Sequence, residues 1–140
     1  MDGTIGAVQL LGVHHVALAV EDLDAAVATY RTLFDAEIEL EERNEEQGVN
    51  AVYLRVGDGR VELVAPLEED TPVGRFLAKR GEGMHHVAFE VDDVDDAVGE
   101  LASRGAQMID DEPRPGLAGK RVAFVHPESL SGVLAEIVGA

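Results

Sequence analysis

His14-His15-Val16-Ala17-Leu18-Ala19-Val20-Glu21-Asp22-Leu23-Asp24-Ala25-Ala26-Val27 returns 71 residues later as His85-His86-Val87-Ala88-Phe89-Glu90-Val91-Asp92-Asp93-Val94-Asp95-Asp96-Ala97-Val98, with 9 of the 14 positions identical. A repeat of this density at half the chain length marks two copies of one supersecondary unit. Each copy opens as an alternating, Val-rich strand. An acidic cluster follows, with Asp22 or Asp24 and Asp93 or Asp95 as helix N-cap candidates. Helices are expected over about 24–34 and 95–104, the second stopped by Gly105. Three short strands are expected after each helix. In the first half these are 36–41, 49–56 and 60–65, the last two joined across Gly57-Asp58-Gly59. In the second half they are 106–111, 120–125 and 133–138.

Between the copies, Thr71-Pro72 opens a linking helix over 71–81 that Gly81 closes, with Thr as cap and Pro at the first turn. Residues 1–10 read as a loose lead-in. The expectation is a single α+β domain over 1–140, with modules 11–66 and 83–139. Two tandem βαβββ modules would form a cupped mixed β-sheet with the helices outside.

The chain has 140 residues, 28 Asp and Glu against 11 Lys and Arg, and a formal charge of -17. Hydrophobic residues make up 46%, enough for a packed core despite the charge. So acidic a chain argues against nucleic acid or an anionic membrane as partner, because phosphate binding depends on Lys and Arg. With no cysteine, there is no disulfide framework, thiolate nucleophile or Cys-ligated zinc. No apolar run approaches the ~20 residues of a membrane span, and the N-terminus lacks the features of a signal peptide. A soluble, cytoplasmic protein is expected. Among the basic residues only Lys79 and Lys120 are Lys, and the acidic residues are spread along the chain. This pattern reads as a solvated acidic surface suited to a salt-rich, halophilic cytoplasm.

Strand alternation sorts the histidines. His15, Ala17 and Ala19 share one face of the first strand, and His14, Val16, Leu18 and Val20 share the other. His86 and Ala88 correspond in the repeat. The bulky face must pack on the helix of its module, so His15 and His86 point into the cup. Glu62 and Glu136 each interrupt an otherwise apolar strand, Val61-Glu62-Leu63-Val64 and Ala135-Glu136-Ile137-Val138. A buried carboxylate there needs a cation or water. An approximate two-fold relation between modules would gather His15, Glu62, His86 and Glu136, a donor set suited to a divalent transition metal. Two positions of an octahedral shell would stay open for catalysis. One such His is usually structural and one such Glu usually meets water. The duplication of both in matching places favours the metal. His126, before Pro127, reads as structural, and Asp92, Asp93, Asp95 and Asp96 as caps and surface charge.

Paired βαβββ modules with a His-Glu-His-Glu set resemble the vicinal oxygen chelate superfamily. From about Leu11 to Val138 the chain is similar, more narrowly, to the methylmalonyl-CoA epimerase family. The segments that carry the resemblance are His14–Val20, Glu46-Gln47-Gly48-Val49, Leu63–Leu67, Phe76–Asp93 and the stretch from Asp111. Within that stretch, Asp111-Glu112-Pro113-Arg114, Phe124-Val125-His126-Pro127 and Gly132-Val133-Leu134 are the most specific.

The resemblance implies metal ligands at His15, Glu62, His86 and Glu136, and a divalent ion, Co(II) first, with Mn(II), Ni(II) or Zn(II) as alternatives. It implies a CoA thioester as substrate, Glu136 as one proton-transfer group, and a homodimer. Some family members carry Gln where this chain has Glu62. Some carry a second Glu at the position that is Ala51 here, which leaves the second base open. Glu46 is the neighbouring candidate, and it also reads as a surface residue. The loop from Pro113 to Arg121 gathers Gly, Pro and basic residues, so Arg114, Gly116, Gly119 and Lys120 are candidates to hold the substrate carboxylate or phosphates. An ordinary flexible connection with compensating charge explains that loop equally well. A glyoxalase I-like lactoylglutathione lyase shares the four ligands. A ligand-binding, non-catalytic cup needs none of them, and an extradiol dioxygenase would want two His with a single carboxylate.

Overall fold

The computed structural model describes residues 8–140, so the first seven residues of the expected lead-in lie outside the described residues. Among the described residues, eight strands and three α-helices follow in the order β1 (Leu10–Ala19), α1 (Leu23–Phe34), β2 (Ile38–Asn44), β3 (Val49–Val56), β4 (Gly59–Pro66), α2 (Pro72–Arg80), β5 (Gly83–Val91), α3 (Val94–Ser103), β6 (Arg114–Pro115), β7 (Arg121–Val125) and β8 (Ala135–Gly139), with short 3-10 turns at Leu117–Gly119 and Pro127–Leu130. The fold is α+β and runs through βαβββ twice. Two compact units are present, His15–His85 and His86–Ala140, the latter joined by residues 8–14.

In the His15–His85 unit the strand order is β2-β3-β4-β1. β1 is parallel to β4, while β4, β3 and β2 run antiparallel in turn. In the other unit the order is β5-β8-β7-β6, with β5 parallel to β8 and the remaining pairs antiparallel. The strands of each unit are mixed in direction within one eight-stranded sheet, and the parallel pair in each unit joins the first and last strands of its module. The β3–β4 hairpin pairs Val56 with Gly59, leaving Gly57-Asp58 as a two-residue turn. Gly57 takes the positive φ of 58° that such a turn assigns to glycine.

The helices are set by their caps and apolar spacing. Asp22 accepts from the Ala25 N–H at 3.0 Å and Asp93 from the Asp96 N–H at 3.1 Å, so the earlier Asp of each candidate pair is the cap. α1 lays Leu23, Ala26, Val27 and Tyr30 on Val52, Leu54 and Leu63 of its own sheet. α3 lays Val94, Ala97, Val98 and Leu101 on Ala123, Val125 and Ile137. The spacing i, i+3, i+4, i+7 is the same in both, the signature of one helix face on one sheet. Burying a Leu such as Leu54 or Leu63 contributes roughly 1.5–3 kcal/mol. α2 starts at the Thr71 cap, whose hydroxyl accepts from the Gly74 N–H at 3.0 Å, and stops at Gly81, φ 76°.

The strand expected over 106–111 does not form. Only Met108 bridges to Val125, and the short β6 sits further on at Arg114–Pro115. The Asp110 carboxylate explains the interruption: it accepts the Phe124 N–H at 2.8 Å, taking the donor that a ladder carbonyl would use. Pro113 and Pro115 bring no N–H to a ladder, which keeps β6 short.

Candidate functional site

In the His15–His85 unit, β1 and β4 bring the first pair together. Ala17 is the register partner of Glu62. His15, two residues earlier on the same face, reaches the same carboxylate, with Nε2 3.1 Å from Oε1. His15 is 1% exposed and Glu62 3%. The other unit repeats the construction on β5 and β8. Ala88 is the partner of Glu136, and His86 Nε2 lies 3.3 Å from Glu136 Oε1. These residues are 7% and 5% exposed. His85 is used differently: its ring meets Phe76 of α2 edge-on, with centroids 5.0 Å apart. The pairs that form are His15–Glu62 and His86–Glu136.

Burying a carboxylate is costly unless a donor or cation faces it, and each Glu has an imidazole nitrogen in that place. The lone pair of Nε2 and the carboxylate oxygens form the borderline-hard donor set that first-row divalent ions take. His15, His86 and Glu136 are each buried and each offers one such ligating atom, and Glu62 brings a further carboxylate beside His15. The residues fit a divalent metal. Among the described residues no helix is long and apolar enough to cross a membrane.

The sequence profile described as the Glyoxalase/Bleomycin resistance protein/Dioxygenase superfamily matches residues 14–124. The chain is 37% identical over 139 residues to the mitochondrial methylmalonyl-CoA epimerase of Homo sapiens, covering 98% of this chain and 79% of that relative. A solved methylmalonyl-CoA epimerase in complex with methylmalonyl-CoA and NH4+ matches with a TM-score of 0.92 at 40% identity, over 94% of this chain and 96% of that one. The chain belongs to the methylmalonyl-CoA epimerase family. The ethylmalonyl-CoA/methylmalonyl-CoA epimerase of Cereibacter sphaeroides is 37% identical over 126 residues, covering 89% of this chain and 94% of that one.

Other candidate residues of this epimerase-family chain fall in distinct settings. Glu46 is exposed in the turn between β2 and β3, and Ala51 is buried on β3. The register pairs Ala51 with Glu42 of β2 and with Val64 of β4. Opposite residues share a face, and so do Ala51 and Tyr53, so Glu42 lies on the face that carries Glu62. In the loop before β7, Gly119 and Lys120 line a cleft of about 410 Å³ together with Asp92, Asp93, Asp95 and Arg121. Arg121 is paired with Asp95 at 2.9 Å. The Gly116 N–H donates to the Lys120 carbonyl at 2.8 Å. A Cβ at Gly116 would come within 2.6 Å of Val122 Cγ1. The Arg114 guanidinium lies over the ring of Phe124. The sequence reading passed over Tyr53 and Phe124. The signal that finds them is cross-strand register, since each stands opposite one of the two glutamates.

Proposed function

We propose that this chain interconverts the (R) and (S) forms of methylmalonyl-CoA by removing and returning the proton at the carbon between thioester and carboxylate. The observation that carries this reading is the buried His–Glu pair, built twice in the same way, in a chain 40% identical to a methylmalonyl-CoA epimerase. His15, Glu62, His86 and Glu136 would hold one divalent ion, Co(II) first, with Mn(II), Ni(II) or Zn(II) as alternatives. Such an ion supplies Lewis-acid stabilisation of the charge that develops on the thioester oxygen, worth several kcal/mol.

The rest of the chemistry falls to side chains. Glu136 takes the α-proton, leaving a planar enolate, and a second group delivers a proton to the opposite face. Ala51 has no titratable atom for that duty. Its cross-strand neighbour Glu42 shares its face and carries a carboxyl group, so Glu42 is our candidate, ahead of the exposed Glu46. Arg114, Gly116, Gly119 and Lys120 remain the proposed contacts for the anionic groups of the CoA thioester. We further propose a homodimer in a salt-rich cytoplasm.

The test is NMR of (R)- or (S)-methylmalonyl-CoA in D2O with the purified protein in high KCl, chelated or supplied with Co(II), beside a methylglyoxal–glutathione control. Metal-dependent deuterium uptake at the α-carbon with an idle control supports the epimerase. Turnover of the hemithioacetal without uptake replaces it with a glyoxalase I-like lyase. Silence in both assays moves the reading to a ligand-binding cup.

A further inference from the structure

Behind each histidine stands a second arrangement of side chains. In the His15–His85 unit the His15 ring meets the Tyr53 ring, centroids 5.3 Å apart. Tyr53 is buried and stands opposite Glu62 in the β3–β4 ladder. The Arg60 guanidinium lies over the same ring, 5.9 Å from its centroid, and pairs with Glu39. In the other unit the His86 ring meets Phe124, again at 5.3 Å. Phe124 is buried and stands opposite Glu136 in the β7–β8 ladder. The Arg114 guanidinium lies 5.5 Å from that ring centroid, and its Nε is 3.2 Å from Asp110.

Each unit thus holds the same row: acid, arginine, aromatic ring, histidine, glutamate. Three of the five members are simple copies. Asp110, Phe124 and His86 each lie 71 residues after Glu39, Tyr53 and His15. The arginine is not a copy. Arg60 comes from β4, and Arg114 from β6. The residue 71 positions before Arg114 is Arg43, which pairs with the exposed Glu45 instead. A guanidinium has reached the same ring from two different places in the chain, which duplication alone does not produce.

We infer that Tyr53 and Phe124 are positioning residues for the ligating imidazoles of His15 and His86, each ring being held in turn by its own arginine. An aromatic ring has few torsions to freeze and offers its face to a cation. Once clamped on that face, it limits the rotation of the imidazole it touches. An imidazole fixed before the ion arrives gives up less freedom on binding, and residues that orient metal ligands act in this way. The inference rests on the metal reading above.

The test is a Co(II) titration of the full-length protein, followed by the visible absorption of the bound ion, with melting temperatures recorded alongside. Tyr53→Leu and Phe124→Leu should weaken Co(II) binding by about 10- to 100-fold and shift the absorption bands. Tyr53→Phe and Phe124→Tyr, which keep a ring, should restore both toward wild type. Arg60→Met and Arg114→Met change partly exposed side chains without opening the core, and should shift affinity in the same direction as the Leu variants. They keep the test valid should a Leu variant fail to fold. Folded Leu and Met variants that bind Co(II) like the wild type, with unchanged bands, overturn the positioning role alone. A wild-type chain that takes up no Co(II) overturns the metal reading and this inference with it.

Discussion

Ala17 stands opposite Glu62 across the parallel β1–β4 pair, and its small side chain keeps the carboxylate within reach of His15, two residues back on the same face. Ala88 and Glu136 repeat the relation on β5 and β8. Both alanines are fully buried, so there is no solvent for a larger side chain to escape into. Ala17→Leu or Ala88→Leu should cost about 1–3 kcal/mol of stability through overpacking. Either should also lower divalent-metal affinity, because the extra bulk pushes the His–Glu pair apart. Urea unfolding with and without EDTA separates the two effects: the metal-dependent part of the stability should shrink in the variants.

Glu136 and Glu42 carry the proposed proton transfers, and their removal should be felt in exchange kinetics. Glu136→Gln or Glu42→Gln should slow epimerisation by about 10²- to 10⁴-fold, while Glu46→Gln stays near wild type. Deuterium incorporation at the α-carbon is the readout. Full activity in Glu136→Gln would remove that residue from the chemistry, and full activity in Glu42→Gln would return the second base to the open positions of the sheet.

Glu39 joins stability to pH. Burial alone would raise its pKa, but the hydrogen bonds and charges of Arg55 and Arg60 outweigh burial and hold the carboxyl below its ordinary value of 4.5. A carboxyl whose folded pKa is depressed stabilises the fold above its unfolded pKa. That contribution is lost as pH falls below 4.5 and through the folded value. Denaturation midpoints measured on both sides of this window should differ less for Glu39→Gln than for wild type. An identical pH dependence in the two proteins would show that the pair with Arg55 and Arg60 adds nothing.

The net charge of -17 predicts a salt response. Self-repulsion weakens the folded state at low ionic strength, and added salt screens it. The melting temperature should rise as KCl is raised from low to molar levels. A flat melting temperature would remove the salt-rich cytoplasm from the reading.

Gly74, in the first turn of α2, is buried against backbone. A Cβ there would lie 2.4 Å from the Glu69 carbonyl oxygen and 2.6 Å from that of Glu68, and backbone gives way less readily than a flexible side chain. Gly74→Ala should therefore destabilise the chain by about 1–3 kcal/mol, although Ala is the better helix former. A melting temperature at or above wild type would contradict this.

The repeat made most of the architecture readable, because its two copies share strand alternation, helix caps and the His position. The choice of His15 over His14 follows from a period of two, and the loss of one residue of register would have reversed it. Helix limits came within a residue or so because Asp22, Asp93, Thr71 and Gly81 act locally. The segment 106–111 failed for the opposite reason. The Asp110 side chain competes for the Phe124 N–H, a contact between residues 14 apart that no local pattern reports. Tyr53 and Phe124 were missed on the same ground: their partners are cross-strand neighbours, visible only once the register is known.

The two arginines also bear on how the halves correspond. Arg43 and Arg114 occupy one position of the repeat, yet Arg43 faces outward against Glu45 while Arg114 covers Phe124, a task that Arg60 performs on Tyr53. The contact recurs in the two halves although the position that supplies it does not, so equivalent parts of the two modules are found by comparing contacts rather than letters.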